Sequence, residues 1–177
     1  FNGSAIFSYG RRAAGKLLSL EMPSNNASQN WKIRLYNDVI DFDLNVAPNE
    51  WHHFALTYNR GNGRLRLFVD GQLRDNGGPI REWFKTLNTE GSAETSYNIR
   101  VGGKTHDTNS SIIGHVDEIR MWSVARPAAE IRNTYRSFLV GNEANLKVYL
   151  RLDEGAGDKA YDHSYSGTRN FNEHHAE

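Results

Sequence analysis

The sequence predicts an all-β protein, a sandwich or barrel of short strands with one short helix over about residues 126–138. Three observations predict it. Apolar residues recur with period two along most of the chain. Turn residues punctuate those runs at short intervals. Helix signals gather in a single segment.

The elements follow in order. Ala5–Tyr9 is a first strand ending at Gly10. Lys16–Met22 is a second, stopped by Pro23 and a polar loop. Trp31–Tyr36 alternates, turns at Asn37-Asp38, and returns as Val39–Leu44, the pattern of a hairpin. His52–Tyr58 places Phe54, Leu56 and Tyr58 on one face. After a Gly-rich turn, Arg64–Val69 points Leu65, Leu67 and Val69 inward and its arginines outward. Asp70-Gly71 is a two-residue hairpin turn leading to Gln72–Arg74. Asp75 to Ser96 reads as a loop anchored by Trp83, Phe84 and Leu87. Strands resume at Tyr97–Val101 and Ile112–Trp122. Pro127 stands at a helix start, with Ile131, Tyr135 and Phe138 at helical spacing behind it. Leu146–Leu152 is a last strand. The segment from Asp153 is rich in Gly and Asp, and residues 168–177 read as a loose tail.

Composition narrows the function. The 177 residues suit one domain with its own core. With 21 basic and 21 acidic residues, the chain lacks the basic excess of a nucleic-acid binder. No apolar run reaches the ~20 residues of a membrane helix, so no membrane insertion is expected. Cysteine is absent, which excludes disulfides, thiolate zinc sites and cysteine nucleophiles. Asn2, Asn26 and Asn109 each begin a glycosylation sequon. No Met or signal peptide precedes Phe1, and the expectation is a piece of a longer protein.

Candidate chemistry is sparse. Asp41 and Asp43 have the i, i+2 spacing of a glycosidase pair, but they alternate with Ile40, Phe42 and Leu44 like a solvated sheet face. His52 and His53 are neighbours on a strand and point to opposite faces, which disfavours a shared zinc. No nucleophile-elbow or phosphate-loop motif is present. Structural calcium fits better, because a hard cation wants six to eight oxygens from loops. Asp107 and Asn109 on one loop offer them, as does Asp117 combined with Asp153, Glu154 and Asp162. The alternative is that Asp117 bonds loop amides and Asp162 makes an Asx turn. Sugars need aromatic faces with polar neighbours. Trp83, Trp31 and Tyr36 are the candidates, with Trp83 alternatively plugging the sandwich end.

Three ordered segments carry a family resemblance. Trp51-His52-His53-Phe54-Ala55 with Leu67-Phe68-Val69-Asp70-Gly71 resembles a "W-H-H-V-A … L-Y-V-D-G" hairpin. Gly114 to Arg126 is similar to "G-x-I-D-E-V-R-I-W-N-x-A-R". Gly141-Asn142-Glu143 with Tyr149 to Gly157 is similar to "G-N-E … Y-W-R-F-D-E-G-x-G". Together they resemble the laminin-G-like and pentraxin-like jelly rolls of the concanavalin A-like superfamily. The first 48 residues fit by strand pattern alone. The resemblance implies a two-sheet antiparallel jelly-roll sandwich over residues 1–167, with Trp51 and Trp122 buried. It also implies an extracellular or cell-surface setting, frequent structural calcium, and a position beside other domains of a longer chain. The Glu-x-Asp-x-x-Glu motif of sandwich glucanases is missing from the sequence.

The expected function is a non-catalytic, extracellular recognition module whose partner is a glycan or glycoprotein. The alternatives are a structural or adhesion spacer that binds protein or supports a catalytic neighbour and, third, a glycoside hydrolase.

Overall fold

The computed structural model describes residues 4–10, 17–23, 30–35, 38–59, 61–74, 99–104, 110–165 and 175–176. Every strand pairing among them is antiparallel. The larger sheet joins β1 (Ala5–Gly10), β2 (Leu17–Glu21), β3 (Asn30–Leu35), β4 (Asp38–Asp43) and β8 (Ile99–Val101) in the order β4-β3-β2-β1-β8. The second joins β5 (Phe54–Asn59), β6 (Arg64–Val69) and β7 (Gln72–Arg74) in chain order. A separate pair is formed by β9 (Ile119–Trp122) and β10 (Leu146–Leu150).

Period-two alternation builds the core. Trp31, Ile33 and Leu35 of β3 face inward beside Phe42 and Ile40 of β4. Leu18 and Leu20 of β2 join them, and Leu65, Leu67 and Val69 of β6 close the layer from the second sheet. Trp31 stacks on Phe54 of β5 with ring centroids 4.9 Å apart, which ties the sheets across the core. This is the jelly-roll sandwich that the sequence predicts. Phe68 is buried as well, so β6 is covered on both faces.

The opposite face of β3 and β4 carries charge. Lys32 pairs with Asp41 at 3.4 Å, and Asp41 is more than half exposed. Asp43 lies opposite Asn30. The Asp41–Asp43 spacing is therefore that of a solvated sheet face.

Three elements differ from expectation. The Ile112–Trp122 strand shrinks to Ile119–Trp122, because Glu118 has φ +56°, which a pleated strand does not tolerate. The helix, α1, runs only from Ala128 to Thr134, with Pro127 in extended conformation before it. Residues 175–176, read as loose tail, form β12, which pairs with β11 (Ala160–Tyr161).

Candidate functional site

Of the three expected aromatic platforms, Trp31 alone lies among the described residues. Trp31 is corrected: it is 1% exposed, and a ring buried against Phe54 has no face left for a sugar. Tyr36 and Trp83 lie outside the described residues, as do Asp107 and Asn109.

Trp51 is corrected in the other direction. Expected in the core, it is 69% exposed. It precedes β5 and so escapes the inward alternation that begins at Phe54. Its ring lies 6.5 Å from that of His115, tilted by 34°. His115 is also exposed and sits on the loop before β9.

Asp70 fixes the chain that follows Trp51. His52 Nδ1 lies 2.9 Å from one carboxylate oxygen of Asp70. The His53 amide donates to the other at 2.9 Å. Burial alone would raise the Asp70 pKa, but the hydrogen bonds from His52 and His53 hold it below the ordinary carboxylate value. His53 is depressed by burial and by the Arg120 charge, which favours neutral imidazole. Trp122, also expected to be buried, is half-buried under the Arg126 guanidinium, 4.1 Å from its ring centroid.

The Asp117-Glu118-Ile119-Arg120 segment does structural work. Tyr149, 1% exposed, donates its hydroxyl to the Glu118 carboxylate at 3.0 Å and accepts from the Leu139 amide at 3.2 Å. Arg120 binds Glu118, the Thr134 carbonyl at the end of α1 and the Ser137 carbonyl beyond it. These bonds hold Glu118 in its positive-φ conformation. Asp117 is exposed and accepts the Glu118 amide at 2.9 Å.

The acidic segment after β10 gathers three ligand-type side chains. Single donor atoms of Asp153, Glu154 and His163 all lie within 4.8 Å of one another. Asp117 is not part of that group, and neither is Asp162. One Asp162 oxygen accepts the amides of Tyr149 at 2.9 Å and Ser164 at 2.8 Å, the latter closing an Asx turn. Glu154 accepts the Tyr161 amide, a bond that lowers its pKa. Asp153 pairs with Arg151 at 2.8 Å. Two carboxylates, one imidazole nitrogen and an adjacent guanidinium fit calcium poorly, because that ion wants six to eight oxygens and no competing cation.

One buried carboxylate escaped the sequence. Glu21 is 4% exposed on the face of β2 turned away from the core. Arg34 Nε donates to it at 2.8 Å, Ser19 Oγ at 2.9 Å, and Lys104 Nζ lies 3.7 Å away. Burial would raise its pKa, but the hydrogen bonds from Arg34 and Ser19 and the Lys104 charge outweigh it, so the pKa is lowered. Strand alternation gives no warning, because every residue of β2 is buried.

Comparison with known proteins matches this architecture. Residues 2–132 match a laminin G family model described as the concanavalin A-like lectin/glucanases superfamily. Jeltraxin of Lepidobatrachus laevis is 24% identical over 136 residues, 72% of this chain and 56% of that protein. The pentraxin fusion protein of Xenopus laevis is 23% identical over 113 residues, covering 63% of this chain and 27% of that one. A crystal structure from Bacteroides ovatus, provisionally assigned as a carbohydrate-binding protein, superposes with a TM-score of 0.65 at 18% identity. It covers 92% of this chain and 45% of its own. The chain thus spans about half the length, or less, of these relatives. Its sandwich, its β5–β6 hairpin and the long family match agree, and the chain belongs to the concanavalin A-like lectin/glucanases superfamily.

Proposed function

We propose that this chain is a non-catalytic glycan-recognition module of a longer secreted or surface protein. The observation that carries the reading is the match of residues 2–132 to a lectin/glucanase family. The carbohydrate-binding assignment of the Bacteroides ovatus structure supports it. No helix among the described residues is long and apolar enough to cross a membrane.

The hydrogen bonding of the described carboxylates supports the lectin reading. A glycosidase needs a carboxylic acid whose pKa is raised, so that it stays protonated to donate to the leaving oxygen. Among the described carboxylates, those with a clear shift are Glu21, Asp70, Glu143 and Glu154, and all four are lowered. Each accepts hydrogen bonds in its ionised form. These carboxylates are fixed acceptors of hydrogen bonds from the protein itself.

A glycan array on the folded protein tests the proposal. Saturable binding to defined sugars supports it. A blank array, or release of reducing ends from a polysaccharide panel, overturns it.

A further inference from the structure

We infer that Trp51 and His115 form the stacking platform of a site for neutral hexopyranosides. The inference rests on the glycan-recognition reading and adds where and what the module binds. Four observations lead there.

The first is exposure. Burial of a large aromatic ring is strongly favourable, yet Trp51 is left 69% exposed. The second is rigidity. Asp70 clamps His52 and His53 directly behind Trp51, and Asn49 just before it has φ +64°. Beyond His115, Glu118 is held by Tyr149 and Arg120. An exposed aromatic ring on fixed backbone loses little conformational freedom when a ligand arrives.

The third is shape. Two rings tilted by 34° at 6.5 Å make a shallow angled surface. A pyranose can lay its C–H face on the indole and meet the imidazole at its edge. An imidazole ring can offer one nitrogen to donate to a hydroxyl and the other to accept from one. The fourth is charge. Glu50 has a 66% exposed side chain beside Trp51, and Asp117 is exposed two residues after His115. Residues 46–51 and 110–118 contain no Lys or Arg. Carboxylates accept from sugar hydroxyls and repel sulfates and uronates. The site is therefore matched to uncharged sugars.

The test follows the indole Nε1–H and imidazole signals by NMR on titration with methyl β-galactoside and methyl β-glucoside. Choline chloride and a sulfated disaccharide serve as controls. The site predicts saturable movement of the Trp51 and His115 signals with at least one neutral glycoside. The signal of buried Trp31 stays fixed and reports that the fold is intact. Trp51→Ala weakens binding about ten-fold or more, and His115→Ala weakens it less. A glycan array that stays positive after Trp51→Ala overturns this site and leaves the recognition reading standing. A blank array overturns both. Movement of the Trp51 signal with choline but with neither glycoside marks a quaternary-ammonium site and overturns the sugar assignment. Trp51-dependent dimerisation without glycoside binding overturns it in favour of self-association.

Discussion

His53 and Asp70 hold each other through two hydrogen bonds of opposite direction. The His53 amide donates to the Asp70 carboxylate at 2.9 Å, and the Asp70 amide donates to the His53 carbonyl at 2.9 Å. The pair closes the β6–β7 turn against the start of β5, and the same carboxylate binds His52. Asp70 also sits at φ +51°, a conformation that Asp tolerates better than Ala. Asp70→Ala removes both side-chain bonds and keeps the strained backbone. The expected loss is about 2–3 kcal/mol, read as a lowered urea midpoint with an unchanged slope. A midpoint within error of the parent contradicts this role.

Gly71 completes the same turn. Its φ is +73°, and a Cβ there would lie 2.8 Å from the Tyr135 ring and 3.2 Å from the Arg132 Cα of α1. Gly71→Ala adds backbone strain to a clash with a packed helix. The expected cost is about 3 kcal/mol by denaturant unfolding.

Glu21 sets an acid-labile contribution to stability. Its folded pKa lies below the ordinary 4.5, so its stabilising effect is complete above that value. The effect is lost as pH falls through the lower, folded pKa. Glu21→Gln leaves Arg34 and Lys104 without their buried counter-charge, at an expected cost of about 3 kcal/mol at pH 7. The variant's stability therefore falls less steeply than the parent's below about pH 4.5, measured by urea unfolding across pH. Parallel curves for the two proteins contradict the assignment.

Calcium provides a test by substitution. The Asp153 carboxylate is paired with Arg151, and that of Glu154 accepts the Tyr161 amide. The double variant Asp153→Asn, Glu154→Gln should respond to calcium in melting temperature as the parent does. A parental stabilisation by calcium that this variant loses would place the ion at the acidic segment after all.

The fold was legible in the sequence where alternation and turn chemistry agree. The β5–β6–β7 unit is an example, because Leu65, Leu67 and Val69 alternate and Asp70-Gly71 fits the turn. The family match from residue 2 extends over the first 48 residues, which strand pattern alone had fitted. The two tryptophans depart from expectation for different reasons. Trp31 shares the inward register of Ile33 and Leu35, so the alternation itself marks it as core. Trp51 stands outside any strand, so a motif position implied burial that no register enforces. Glu118 cut its strand short through a backbone conformation held by Tyr149, a contact 31 residues away in sequence. Long-range support of that kind leaves no local signal. Asp162 did show one, since its Asx turn follows from its own neighbours.

The central claim is glycan recognition without catalysis. A glycan array on the folded protein, read beside a reducing-end assay on the bound sugars, tests it most directly. The account predicts saturable binding to neutral glycans with no product released. A blank array from folded protein, or turnover of a bound sugar, would contradict it.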